Sequence, residues 1–150
     1  MDVVHIAWGH ADDEGLLRRV VAAALDVSVA EIVEGRVCPD CGASDHGRPF
    51  LRAGGRRAGW ASLSRHGDHA VAAWCASAPV GVDVDADPAW AHREARGKAV
   101  GTGITGDDPL HVASRDIDAP DGCAAAVACV ADEWQVVTAG RAAAVRRATG

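Results

Sequence analysis

The chain has 150 residues, 49% of them hydrophobic, and a formal net charge of −6 at pH 7. This length and hydrophobic content suffice for one globular domain, or for two small lobes that share a core. The acidic charge argues against a nucleic-acid partner, and no apolar run is long enough to span a membrane. We therefore expect a cytoplasmic protein with no nucleic-acid and no membrane partner.

The N-terminal residues and the cysteines agree with that expectation. Met1 to His5 lack the basic and apolar regions of a signal peptide. The chain contains five cysteines, an odd number. In a chain with no export signal, this favours reduced thiols over a disulfide framework.

The first elements are predicted to be scaffold. Val3 to Trp8 is an apolar strand candidate. Leu16 to Leu25 has helical spacing and follows a run of acids, which suits the positive end of a helix dipole. Ala30 to Val37 is apolar enough for a short strand or a helical turn.

A Cys-x-x-Cys pair follows, made by Cys38 and Cys41, with His46 five residues after the second cysteine. A structural zinc site needs four protein ligands, so a fourth would have to come from elsewhere in the chain. A turn that precedes His46-Gly47-Arg48-Pro49 is favoured, and zinc binding stays an alternative.

Trp60 to Ala76 is predicted to form a hairpin. Trp60 to Ser64 alternates as a strand, Arg65 to Asp68 forms a turn, and His69 to Trp74 returns as the second strand. The Gly-x-Ser-x-Gly nucleophile elbow is absent here, which argues against a serine hydrolase.

The candidate chemistry lies between Pro79 and Gly103. Apolar and acidic residues alternate up to Asp85, which predicts a strand with Asp83 and Asp85 on one face and the valines toward the core. Two carboxylates on one face repel unless a cation lies between them. Mg²⁺ suits such a site, because it takes oxygen ligands from one or two carboxylates together with water and phosphate.

Trp90 to Val100 has helical spacing, and Trp90, Glu94 and Lys98 share one helix face. This face adds a third carboxylate and a cation to a surface that can close over the strand, which predicts a site for a metal-bound phosphate ester. The alternative is a surface Glu94–Lys98 pair beside a solvated acidic loop. Gly97 lies inside the helix, at a cost of roughly 1 kcal/mol relative to alanine.

The remaining elements are predicted as a loop, strands and a tail. Gly101 to Pro109 is a loop without the ending of a phosphate-binding Walker motif. Leu110 to Ile117, Ala124 to Ala131 and Trp134 to Thr138 are strand candidates. From Ala139 onward the chain is rich in alanine and arginine, which suggests a frayed helix or a disordered segment.

Four blocks, in this order, resemble the 4'-phosphopantetheinyl transferase superfamily, and in particular its larger, pseudo-dimeric, surfactin-synthetase-activating type. The blocks are His46-Gly47-Arg48-Pro49, Ser62-Leu63-Ser64-Arg65-His66-Gly67-Asp68, Val80-Gly81-Val82-Asp83-Val84-Asp85, and Trp90-x-x-Arg93-Glu94-Ala95-x-x-Lys98-x-x-Gly101-x-Gly103. Only Ala86 to Ala89 join the last two blocks, where larger relatives have a longer segment that helps to receive the carrier protein. The chain therefore resembles a compact variant of the family.

The resemblance implies an α+β fold in one domain with two pseudo-symmetric lobes, roughly 1–78 and 79–138, and a tail at 139–150. Each lobe would have a small antiparallel sheet and a helix. The implied reaction transfers the 4'-phosphopantetheine arm of coenzyme A to a serine of an acyl or peptidyl carrier protein, with Mg²⁺ as cofactor and adenosine 3',5'-bisphosphate as the leaving product. Both a monomer and a dimer stay open. The alternatives are a catalytically reduced coenzyme A-binding relative and a small zinc-binding interaction domain.

The resemblance also implies residue roles. The metal ligands are Asp83, Asp85 and Glu94. The coenzyme-binding residues are Arg48, Ser64, Arg65, His66 and Lys98. Glu94 is in addition the candidate base for the incoming serine, and Lys98 would stabilise the diphosphate during transfer. Arg65 stands where the family usually has histidine, and arginine can hold a phosphate through two parallel hydrogen bonds.

Overall fold

The computed structural model describes residues 1–38, 41–44, 47–103 and 105–139. Two parts of the sequence predictions lie outside these ranges. They are His46, which belongs to the zinc alternative, and all of the predicted tail beyond Ala139.

Within the described ranges, the N-terminal part of the chain contains one helix and six strands. These elements are β1 (Asp2–His10), α1 (Leu16–Leu25), a 3-10 turn (Val29–Glu31), β2 (Ile32–Val37), β3 (Arg48–Ala53), β4 (Arg56–Arg57), β5 (Trp60–His66) and β6 (His69–Cys75). The C-terminal part contains β7 (Val80–Asp85), α2 (Pro88–Val100), β8 (Ala113–Ile117), β9 (Ala124–Cys129) and β10 (Trp134–Thr138). This mixture of small sheets and helices confirms the α+β class. The helices in the described ranges are α1 and α2, and neither is long and apolar enough to cross a membrane.

The strands form three sheets in the described ranges, with the orders β10-β1-β6-β5, β2-β3-β4 and β7-β9-β8. We expected two sheets, both antiparallel. The number of sheets differs from this expectation, and so does the first sheet, because β10 is parallel to β1. The reason is burial of Trp134, which is 3% exposed and packs into a core that the first and third sheets share. The last strand thus returns to the N-terminal sheet.

The hairpin of β5 and β6 is confirmed, and its two strands are longer than predicted. Its register runs from Trp60 opposite Cys75 to His66 opposite His69, with Gly67 in the turn at a φ of 56°. Arg65 and His66, which we predicted to be in the turn, are the last two residues of β5.

The first and third sheets share the main core. Val4 and Ile6 of β1 pack there with Val80, Val82 and Val84 of β7, and all five side chains are buried. The strand alternation of β7 therefore sends its valines into this core, as predicted, and leaves Gly81, Asp83 and Asp85 for the opposite face.

The buried cysteines of β6 and β9 are free thiols and form no disulfide, as predicted.

Helix α2 covers that opposite face of β7. It begins after Asp87, whose side chain accepts a hydrogen bond from the Ala89 backbone N–H, and it ends at Gly101, which has a left-handed φ of 89°. The helix can lie very close to the strand because Gly81 has no side chain. A Cβ at that position would overlap the carbonyl oxygen of Ala95.

Gly97 has a comparable packing role, which accounts for a glycine inside the helix. Its carbonyl oxygen accepts backbone N–H bonds from Gly101, Thr102 and Gly103, at 2.9, 3.0 and 3.0 Å. A Cβ on Gly97 would overlap the carbonyl oxygen of Gly103. The loop that follows α2 thus folds back against a surface that only glycine provides.

We expect Gly97→Ala to lower the free energy of unfolding by about 1–3 kcal/mol, the usual range for overpacking, although alanine is the better helix former. The reason is that the Gly103 backbone must move to admit the methyl group. Urea unfolding measures the change. Gly15→Ala is the control, because the closest atom to its added Cβ, at 2.9 Å, would be at the flexible end of the Arg19 side chain. A Gly97→Ala variant as stable as the parent would contradict this account.

Candidate functional site

The acidic residues of β7 lie under α2, and this position determines their environment. Asp83 is 3% exposed, whereas Asp85, at the end of the strand, is partly exposed. Glu94 reaches the same place from α2, since its carboxyl group interacts with those of both aspartates. The strand and the helix therefore bring the three predicted metal ligands together.

The two oxygens of the Asp83 carboxylate have different surroundings. Oδ1 accepts a hydrogen bond from Ser64 Oγ at 3.0 Å and from Lys98 Nζ at 3.1 Å. Oδ2 is buried and has no hydrogen-bond partner in the part of the chain that the structure describes. A buried carboxylate oxygen without a partner is costly, so its position is one where a proton or a cation would be stabilised.

Lys98 connects three elements at this point. Besides Asp83, its ammonium group donates to the Val82 carbonyl at 3.1 Å and to the Leu63 carbonyl at 3.4 Å. Lys98 itself belongs to α2, Val82 to β7 and Leu63 to β5. One cation thus holds the helix, the strand beneath it and the edge of the first sheet.

The pKa of Glu94 is raised from 4.5 to about 7. The largest cause is burial, followed by a hydrogen bond to Asp83 and by repulsion from the Asp83 and Asp85 charges, while Lys98 lowers the value. An ionised Glu94 cannot donate a hydrogen bond to the Asp83 carboxylate. A protonated Glu94 can donate one, which agrees with the raised pKa.

The donor chemistry of this cluster fits a hard divalent cation. Asp83, Asp85 and Glu94 offer carboxylate oxygens, the ligands that Mg²⁺ prefers, and their mutual repulsion is relieved by positive charge. Within the described ranges, no three histidine, cysteine, aspartate or glutamate side chains already have the arrangement of a metal site. The carboxylates would therefore have to converge further around an ion.

A cavity of about 240 Å³ adjoins this cluster. Three cationic side chains line it, those of Arg36, Arg48 and Lys98, together with small residues such as Gly47 and Gly101. Arg48 Nη2 donates to the Lys98 carbonyl at 2.8 Å, which places a cation at the negative end of α2. Burial, followed by repulsion from Arg57, lowers the pKa of Arg48, and an anion in the cavity would relieve both effects.

A second cavity, of about 360 Å³, shares Arg48 and Pro49 with the first one. Arg52 and Arg57 line it, and Phe50 supplies an aromatic wall. The two linings contain no aspartate or glutamate among the residues the structure describes. We call this pair of cavities the cationic groove, and it lies on a chain whose net charge is −6.

The structure separates two predicted coenzyme ligands from the others. Arg65 is exposed, and its Nε donates to the Ala11 carbonyl at 2.8 Å. His66 lies beyond it, opposite His69 at the end of the hairpin. Neither Arg65 nor His66 lines the cationic groove, and Ser64, which donates to Asp83, does not line it either. Because side chains alternate along β5, Arg65 leaves by the face opposite that of Ser64.

Sequence reasoning missed the contribution of Arg36. It lies on β2, where its Nη1 donates to the Gly47 carbonyl at 3.1 Å, and it lines the first cavity. Nothing near Arg36 in the sequence distinguishes it from other surface arginines, because only the pairing of β2 with β3 brings it beside Arg48.

Sequence reasoning also missed a polar cluster on the other side of α2. His92 Nδ1 lies 2.7 Å from Ser114 Oγ, and His92 Nε2 lies 2.7 Å from Asp116 Oδ1. Arg96 donates to Ser114 Oγ at 2.9 Å and holds Asp108 through two parallel hydrogen bonds. This cluster fastens α2 to β8 and to the loop before it.

The zinc alternative stays a prediction, because His46 lies outside the described residues. Cys38 and Cys41 belong to a turn in which the Gly42 N–H donates to the Cys38 carbonyl at 2.8 Å. This is the turn we predicted before Arg48.

No protein-family model and no curated protein matches the chain.

The raised pKa of Glu94 predicts a pH dependence of stability. The folded state binds the Glu94 proton more tightly than the unfolded chain, so this group makes stability fall as the pH rises from about 4.5 through about 7. Glutamine resembles the protonated form, and Glu94→Gln should therefore lose less stability than the parent between pH 5 and pH 8. Urea unfolding at several pH values measures the difference in the free energy of unfolding between the variant and the parent. The contributions of the other titrating groups cancel in this difference. Glu14→Gln, at an exposed glutamate, is the control, and a Glu94→Gln profile parallel to that of the parent would exclude the assignment.

Proposed function

We propose that the protein is a compact Mg²⁺-dependent 4'-phosphopantetheinyl transferase. One observation carries the proposal: Lys98 joins a cluster of three carboxylates to a groove lined by cations. Phosphoryl transfer needs both parts, because the diphosphate must be held and its growing charge neutralised. The motifs that resemble the family contribute residues to both parts, namely Asp83 and Glu94 to the cluster and Arg48 to the groove.

The fold supports the proposal at a coarse level. We propose that the first sheet with α1 and the third sheet with α2 correspond to the two lobes of that family, with β10 returning from the second lobe to the first. Only Ala86 and Asp87 separate β7 from α2. The surface that receives a carrier protein would therefore be built from other elements than in the larger relatives.

In the proposed reaction the serine oxygen of the carrier protein attacks the phosphorus that bears the pantetheine arm. The bond to the bridging diphosphate oxygen breaks, and adenosine 3',5'-bisphosphate leaves with that oxygen. Glu94 is the candidate base and accepts the serine proton. Mg²⁺ held by Asp83, Asp85 and Glu94 would neutralise the charge of the diphosphate oxygens.

Lys98 and the arginines of the groove would hold the coenzyme. All three Lys98 hydrogens have acceptors, and the longest of these bonds, 3.4 Å to the Leu63 carbonyl, is the one most easily exchanged for a diphosphate oxygen. Arg36 and Arg48 would bind the phosphates of the nucleotide end, where an arginine fork suits phosphate oxygens. Contacts from Arg65 and His66 stay predictions, because these residues lie outside the groove.

The second candidate is a coenzyme A-binding relative without transfer activity. The engagement of Lys98 by two backbone carbonyls favours it, since a lysine so engaged holds the fold together whether or not chemistry occurs. The two candidates differ in their dependence on Mg²⁺ and on Glu94.

Coenzyme A is expected to stabilise the protein, and Mg²⁺ to strengthen the effect. A ligand that binds only the folded state adds about 2.7 kcal/mol at a hundredfold excess over its dissociation constant. Thermal unfolding with coenzyme A, with and without Mg²⁺, measures this gain. Asp83→Asn should abolish the Mg²⁺-dependent part, while Asp107→Asn, at an exposed aspartate, should keep it. A shift without any Mg²⁺ dependence favours the binding-only candidate, and no shift at millimolar coenzyme A rules out both.

Glu94→Gln should reduce transfer by about 10²-fold or more, the usual contribution of a general base, and should leave binding of coenzyme A in place. The measurement is the mass gained by an apo carrier protein that the parent protein modifies, followed by mass spectrometry. Glu14→Gln serves as the matched control. Undiminished transfer by Glu94→Gln would remove Glu94 from the role of base.

A further inference from the structure

Two serine hydroxyls join the first sheet to the third. Ser62 and Ser64 lie on β5, the edge strand of the first sheet, and they are 5% and 7% exposed. Their Oγ atoms accept hydrogen bonds from the backbone N–H groups of Val82 and Val84, each at 3.1 Å. The hydroxyls thus satisfy two backbone N–H groups of β7, the edge strand of the third sheet.

Only Ser64 adds a contact with a carboxylate. Its hydroxyl hydrogen goes to Asp83 Oδ1 at 3.0 Å, while the oxygen accepts the Val84 N–H. A serine has one hydroxyl hydrogen, so Ser64 cannot also donate to a phosphate without giving up Asp83. Ser62 shares the burial and the backbone contact, which makes it a matched control.

We propose that Ser64 is a positioning residue for Asp83 and not a contact of the coenzyme. Together with Lys98 it occupies Oδ1, and it thereby fixes the rotation of the carboxylate so that Oδ2 alone is left for a cation. The cation's identity as Mg²⁺ rests on the proposed function, whereas the fixing of Asp83 does not. This role differs from the coenzyme contact that the family resemblance implies for Ser64.

The chain offers a direct probe of this arrangement, because Lys98 is its one lysine. The ¹⁵N resonance of the Lys98 ammonium group is therefore assigned without ambiguity. Lys98 Nζ and Ser64 Oγ share the acceptor Asp83 Oδ1. Removal of the Ser64 hydroxyl changes the carboxylate that Lys98 contacts, but removal of the Ser62 hydroxyl does not.

The experiment compares the full chain with Ser64→Ala, Ser62→Ala and Ser64→Thr by ¹⁵N NMR, without metal or coenzyme. We expect Ser64→Ala to shift the Lys98 resonance, Ser62→Ala to leave it in place, and Ser64→Thr, which keeps a hydroxyl, to restore it. Amide hydrogen exchange should rise at Val84 in the first variant and at Val82 in the second, which shows that each lost an equivalent backbone bond. Equal effects of the two alanine variants on Lys98 would overturn the proposal, as would no effect of either.

A titration with Mn²⁺, a spectroscopic substitute for Mg²⁺, then tests whether Ser64 affects the affinity for a divalent cation. Loss of a group that orients a metal ligand typically weakens metal affinity by about 10- to 100-fold. We expect a loss of this size in Ser64→Ala and an affinity near that of the parent in Ser62→Ala. If Ser64→Ala binds Mn²⁺ as tightly as the parent, Ser64 does not position Asp83 for a cation. If the parent itself binds no Mn²⁺, the proposed function fails, and the Lys98 resonance still decides whether Ser64 fixes Asp83.

Discussion

The ion pair between Asp83 and Lys98 is the interaction on which the arrangement of this site depends. A carboxylate as buried as Asp83 is strongly destabilising without a partner, and Lys98 supplies one at 3.1 Å. The same ammonium group contacts carbonyl oxygens of β5 and β7. The cation that pairs with Asp83 therefore also holds the two sheets and the helix that covers them together.

Small residues bring the charges close enough to interact. Ala91, Ala95 and Ala99 form the buried side of α2, and Gly81 lets the helix backbone approach β7. With larger residues at these positions, Glu94 would lie farther from the two aspartates, and their repulsion would be weaker. Close packing of the alanine-rich helix thus contributes to both the burial and the repulsion that raise the pKa of Glu94. Gly97 extends this close packing to the loop that borders the cationic groove.

The local pattern of the sequence was sufficient for the elements that carry the acids, and insufficient for what surrounds them. Strand alternation placed Asp83 and Asp85 on one face, because that period is a property of the backbone itself. The parallel pairing of β10 and the approach of Arg36 to the cavity depend on contacts between residues distant in sequence, which no local pattern reveals. Arg65 is a different case. Strand alternation would have placed its side chain on the face opposite that of Ser64, but we predicted a turn at Arg65. Because alternation does not apply in a turn, we did not expect this separation.

Helix α2 is fastened on two sides, and this constrains how the acidic cluster can lower its energy. On one side Lys98 holds it to β5 and β7, and on the other His92 and Arg96 hold it to β8 through Ser114. A helix fixed by only one of these contacts could tilt and carry Glu94 away from Asp83. Because both contacts are present, the carboxylates stay together, and a bound positive charge in addition to that of Lys98 would relieve their repulsion. A proton on Glu94 can supply that charge near neutral pH, and the divalent cation that we propose would supply it above that range, so that binding of the two would compete.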